Sequence, residues 1–158
     1  MYTSINVTEG PFLFDQAPPS PLKHLSLAPV DGDQVAALGQ CTELESVALR
    51  FCAGAVPLSQ LCCLRRLVSL TLIDLPAMDE AEFRGMLERC EHLTRVRLEG
   101  DISEGVVRAL QALAPQLVYL RLVPTSPTVL TDRTLTPLLS GARALCHLSL
   151  RSCPNITD

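Results

Sequence analysis

Leu93-Thr94-Arg95-Val96-Arg97-Leu98 is the stretch on which the reading of this chain turns. Its apolar residues stand first, fourth and sixth, and the last two, being two apart, point to the same side of an extended strand. The same apolar-x-x-apolar-x-Leu hexamer recurs as Leu22-Leu25-Leu27, Leu44-Val47-Leu49, Leu67-Leu70-Leu72, Leu117-Leu120-Leu122 and Leu145-Leu148-Leu150. From one first leucine to the next the steps are 22, 23, 26, 24 and 28 residues, a regularity that marks an internal repeat.

The stretches between hexamers have helical character. In 79 to 90, Asp79, Glu80 and Glu82 crowd the first turn, where the helix dipole favours acids, and Phe83, Met86, Leu87 and Cys90 recur at helical spacing. Val106, Val107, Leu110 and Leu113 repeat the pattern in 105 to 113. Pro137 would break a helix begun at Asp132 but is tolerated early in one capped by Thr134, which predicts a helix over 135–141. Gly54 and Pro57 compress the segment 50 to 66, leaving at best about two helical turns near Leu58 to Leu64. Pro124, Pro127 and their Ser and Thr neighbours predict a long, mobile loop over 123–134.

A strand and a return helix in so few residues make one turn of an α/β leucine-rich-repeat solenoid. The expected fold is a right-handed horseshoe, with a parallel sheet on the concave face, helices on the convex face and the hexamer leucines between them. Residues 1–21 read as a leader or the remnant of a preceding turn, and 22–158 as the repeat domain, with about six repeats. The last turn has no successor to cover Leu145, Leu148 and Leu150, so its apolar side is expected to be bare.

Composition sets the outer bounds. A chain of 158 residues that is 47% hydrophobic can bury a core without metals or disulfides, and a net charge of -4 argues against a general coat for nucleic acid or anionic membrane. The first twenty residues hold no Lys or Arg, and neither a signal peptide nor a run of 18 apolar residues is present. Seven cysteines, an odd number without framework spacing, read as reduced thiols of a cytoplasmic or nuclear protein.

The turns resemble the cysteine-containing class of leucine-rich repeats, L-x-x-L-x-L-x-x-C-x-x-I-T-D, closed by C-x-x-L into the next strand. Cys52 and Cys153 occupy the strand-exit position, and Cys41 and Cys90 precede a strand. The I-T-D element stands as Ile156-Thr157-Asp158, Leu130-Thr131-Asp132 and Ile102-Ser103-Glu104, while Val30, Leu75, Asp101 and Thr125 replace the exit cysteine in four turns. On these residues the chain is similar to the F-box and leucine-rich-repeat family, which is ribonuclease-inhibitor-like in its repeats. The resemblance implies the substrate-recognition repeats of a cullin-RING (SCF-type) E3 ubiquitin ligase, acting in protein ubiquitination and proteasomal degradation. No segment matches the F-box through which that family docks on its ligase adaptor, so the chain reads as a fragment or isoform. The alternatives are a free-standing repeat scaffold or inhibitor, and a truncated isoform lacking ligase docking.

The hexamer register also says which side chains could meet on the concave face. His24 and His147 lie five strands apart, about 24 Å, and cannot share a site. No phosphate loop, metal-ligand spacing or nucleophile triad is present, so neither catalysis nor a metal or cofactor is expected. The outward positions instead collect Arg50, Arg95, Arg97, Tyr119, Arg121, His147 and Arg151, with Glu99 opposing them. Arginines gathered in this way suit bidentate contacts with carboxylates or phosphates. The expected partner is an acidic or phosphorylated protein segment, and not nucleic acid, because Asp79, Glu80, Glu82, Glu88 and Glu91 weigh against it elsewhere.

Overall fold

The computed structural model describes residues 4–7, 22–30, 32–51 and 58–157. Expectations placed on 8–21, Cys52, Gly54, Pro57 and Asp158 lie outside the described residues. Within them, seven strands form one all-parallel sheet in chain order: β1 (Ser4–Val7), β2 (His24–Val30), β3 (Ser46–Phe51), β4 (Ser69–Leu75), β5 (Arg95–Gly100), β6 (Tyr119–Pro124) and β7 (His147–Leu150). The last six fall on the hexamers. β1 is a seventh that no hexamer announced, and it places Ile5 beside Leu25.

Period-two alternation divides each strand between core and surface. Val47, Leu49, Leu70, Leu72, Val96, Leu98, Leu120 and Leu122 are all buried, while their neighbours along the strand face outward. Four short helices pack on the buried side: α1 (Gly32–Leu38), α2 (Glu80–Leu87), α3 (Glu104–Ala109) and α4 (Asp132–Gly141). They contribute Leu38, Phe83, Met86, Leu87, Val106 and Leu138 to the same core. Each fully buried side chain of this size contributes about 1.5–3 kcal/mol, so the interlayer leucines dominate the stabilisation.

The turns repeat as closely as the strands do. The backbone carbonyl just ahead of each strand accepts two N–H groups from the next unit: Glu45 O from Val68 and Ser69, Val68 O from Thr94 and Arg95, Thr94 O from Val118 and Tyr119. On the opposite edge, the polar residue that opens α2, α3 and α4 is an N-cap. Asp79 accepts from the N–H of Glu82, Ser103 from Val106, and Thr131 from Thr134. In the I-T-D elements the residue ahead of the cap, Ile102 or Leu130, is buried. The motif therefore anchors and caps in consecutive positions.

The expected horseshoe is corrected here: the sheet is not strongly curled, and the helices pack extensively on one another. Curl comes from a mismatch between strands about 4.8 Å apart and α-helices whose axes need 8–10 Å. Much of the return layer is thinner than an α-helix. Between β3 and β4 it is a 3-10 segment, Leu58–Cys63, and between β5 and β6 the six-residue α3 runs on as 3-10 through Leu110–Gln116. α2 packs against both the 3-10 segment Leu58–Cys63 and α3, and α3 packs against α4.

Two local expectations also change. α4 begins at Asp132 and not after Thr134, because Thr131 and Thr134 form a reciprocal capping box. Pro137 sits within it, and the Arg133 carbonyl that loses a donor belongs to an exposed residue. The stretch after β6 is exposed at Thr125, Pro127 and Thr128 but anchored at its end, where Leu130 is buried and Thr134 Oγ1 donates to the Val129 carbonyl.

Candidate interaction surface on the helix-free face

With the described helices on one side, the outward positions of the sheet form an open face. Because the sheet is not strongly curled, this face is shallow, and its chemistry comes from rows of side chains in register. One row runs His24, Ser46, Ser69, Arg95, Tyr119, His147 across β2 to β7, and the next runs Ser26, Ala48, Thr71, Arg97, Arg121, Ser149. The first half of each row is small and neutral apart from His24. The second half is basic and aromatic apart from Ser149.

Five of the seven residues expected to bind a partner are neighbours on β5, β6 and β7. Arg97 and Arg121, paired across two strands, converge on one acid: Glu99 Oε1 accepts from Arg97 Nε at 2.8 Å and from Arg121 Nε at 3.1 Å. Glu99 and Arg121 are mostly buried, with side chains 20% and 22% exposed, so the pairing fixes both guanidinium groups. Arg95 is exposed and makes no ion pair among the described residues. Tyr119 and His147 stack face to face, 4.7 Å between ring centroids and 2° between planes. The stack makes a flat aromatic wall beside the arginines.

The other two stand apart. Arg151 follows β7, exposed, with its backbone N–H on the Leu122 carbonyl. Arg50, on β3, is bound to Asp74 at 2.6 Å, and that hydrogen bond and charge hold its guanidinium above the usual value. Asp74 is a functional neighbour that alternation misses. Counted from Leu72 it should face the core, but a register shift between Leu72 and Leu75 and a left-handed backbone at φ 55° turn it outward. Glu99 is thus joined by a second acid opposite the arginines.

The bulge has a partner in β5. Gly100 adopts φ 129°, and a Cβ there would lie 2.3 Å from the Leu75 backbone nitrogen, so this position admits glycine alone without a backbone shift. Ser69, Leu70, Thr71, Arg95, Val96, Arg97 and Tyr119 line a depression of about 210 Å³ on the open face. No acid lines it. At the strand-entry edge, Lys23 pairs with Glu45 at 2.7 Å, and its hydrogen bond holds the Glu45 carboxyl below the ordinary range. Arg66 pairs with Glu43 at the same edge.

The cysteines singled out by their spacing are packing residues where they are described. Cys41 and Cys90 are buried in the tight turns ahead of β3 and β5, each with its carbonyl accepting from the leucine three residues on. Burial pushes the Cys90 thiol up to about 11 and raises those of Cys41 and Cys153. Among the described residues no cysteine is in a disulfide, and no three His, Cys, Asp or Glu side chains gather as metal ligands. No helix among them is long and apolar enough to cross a membrane.

Fold and surface together define a class: an all-parallel α/β repeat protein with one helical layer and one open, locally basic sheet face. No protein-family model matches the chain, and no curated protein matches it.

Proposed function

We propose that this chain is a protein-interaction module that holds an acidic segment of a partner across the outer face of β5, β6 and β7. The observation that carries this is the convergence of Arg97 and Arg121 on Glu99, with Arg95 beside them and the Tyr119–His147 stack as a wall. Arginines already oriented by a shared acid lose little side-chain freedom on binding, and each guanidinium keeps N–H donors for a partner carboxylate. The resemblance of the turns to cysteine-containing repeats supports target recognition for a cullin-RING ubiquitin ligase as the biological setting. In that setting the adaptor is reached through an F-box, and the repeats hold the target.

The test is binding of acidic peptides to the wild-type chain and to the double variant Arg97→Glu/Arg121→Glu. Both side chains point away from the leucine core, but both pair with Glu99, so a urea midpoint of the variant accompanies the binding measurement; in the folded variant the affinity falls roughly 30-fold or more, the size of losing a desolvated charge contact. Equal affinity of the two chains refutes the surface. Co-purification of cullin and adaptor subunits with the protein expressed in cells tests the ligase setting separately.

A further inference from the structure

The depression at the boundary between the neutral and basic halves of the open face is a more specific feature than the patch around it. Its floor is the edge of two adjacent strands, where Ser69 stands opposite Arg95 and Thr71 opposite Arg97 in the parallel register. The backbones of two hydroxyl residues and two arginines therefore stand one strand spacing apart, about 4.8 Å, and all four residues line the depression. Tyr119, opposite Arg95 on the next strand, closes the side toward β6.

We propose that this depression is a subsite for a phosphorylated side chain of the partner, an inference that rests on the acidic-segment reading above and narrows it to one ligand chemistry. Charge balance favours phosphate over carboxylate. Arg95, Arg97 and Arg121 set three guanidinium charges against the single carboxylate of Glu99, leaving two positive charges. A phosphoryl group carries about -1.5 to -2 at neutral pH and compensates them, whereas a lone carboxylate leaves one uncompensated. The donor set agrees. Arg95 has its whole fork of N–H groups available for a bidentate contact. Arg97 spends Nε and one terminal nitrogen on Glu99, each at 2.8 Å, and keeps the other terminal nitrogen for a ligand. Ser69 and Thr71 add hydroxyl donors for the remaining phosphate oxygens.

The experiment uses three immobilised peptide libraries, randomised around a fixed central phosphoserine, glutamate or serine, probed with the intact chain. The expected result is at least tenfold stronger retention on the phosphoserine library than on the glutamate library, abolished by inorganic phosphate at millimolar concentration. Arg95→Ala removes the preference, Arg95→Lys restores it in part because charge returns without the fork, and Arg133→Ala on the exposed side of α4 leaves it unchanged. An unaltered urea midpoint for Arg95→Ala ties its effect to the subsite and not to unfolding. Equal retention on the phosphoserine and glutamate libraries overturns the phosphate subsite while leaving the acidic-segment reading standing. No retention on any library overturns both. Retention on vesicles containing phosphoinositide, with no enrichment on phosphoserine, assigns the phosphate chemistry to a lipid and also overturns the proposal.

Discussion

β5 and β7 carry the same hexamer and live in different surroundings. In β5, Val96 and Leu98 are fully buried, with β4 and β6 on either side. In β7, the corresponding Leu148 is 40% exposed and Leu150 only half-buried, because no described strand or helix follows. A hexamer supplies an apolar face, and its neighbours supply the burial. Stability in such a chain is a property of adjacent pairs of units more than of any unit alone.

The largest expected effect is the direct contrast between those strands. Leu98→Ala should lower unfolding free energy by about 2–5 kcal/mol, while Leu148→Ala should cost less than about 1 kcal/mol, both read from urea denaturation. Equal losses would show that Leu148 is as well packed in solution as Leu98. Gly100→Ala comes next at about 1–3 kcal/mol, because it forces a side chain into a left-handed position pressed against the Leu75 backbone. A neutral Gly100→Ala would mean that the β4–β5 bulge is free to relax.

Hydrogen exchange sharpens the contrast without mutation. Backbone amides of β4 and β5 should exchange only through global unfolding, and those of β7 through cheaper local opening. Uniform protection would show that something covers the β7 edge in solution. Thiol chemistry follows the same gradient. Exposed Cys63 and Cys146 should be alkylated first at pH 8, with Cys41 and Cys90 reacting only as the chain opens. Because the folded Cys90 value is raised from 9.0 to about 11, its contribution to stability is present below pH 9 and is lost as pH rises through 11.

The smallest effect lies at the last turn, where Thr157 donates its N–H and its Oγ1–H to the Asp132 carboxylate at 3.1 and 2.6 Å. Those bonds hold the Asp132 value below the ordinary 3.8. Their contribution is therefore present above pH 3.8 and lost as pH falls through the lower folded value. The Thr157 amide resonance should move over that range while β5 resonances stay still, and a Thr157 titration near pH 5 would contradict it.

Strand positions, inward leucines and outward arginines were legible from the chain because they depend on a period of two, a local property of the backbone. The parallel order followed from a strand and a return helix repeating every 22 to 28 residues. What lay beyond reach depended on contacts between units. The Thr131–Thr134 capping box, not the proline rule, decided where α4 begins, since a reciprocal pair of hydrogen bonds at the helix start outweighs one missing donor further on. Asp74 became a surface acid only through a bulge that Gly100 of the next strand makes room for. The sheet stays uncurled because thin 3-10 returns relieve the spacing mismatch that full α-helices would create, and helix type at that length is settled by packing against the neighbouring return. The depression beside Arg95 is likewise tertiary: its residues, Ser69 to Tyr119, come from three separate strands, and only the register of β4, β5 and β6 brings them to one place.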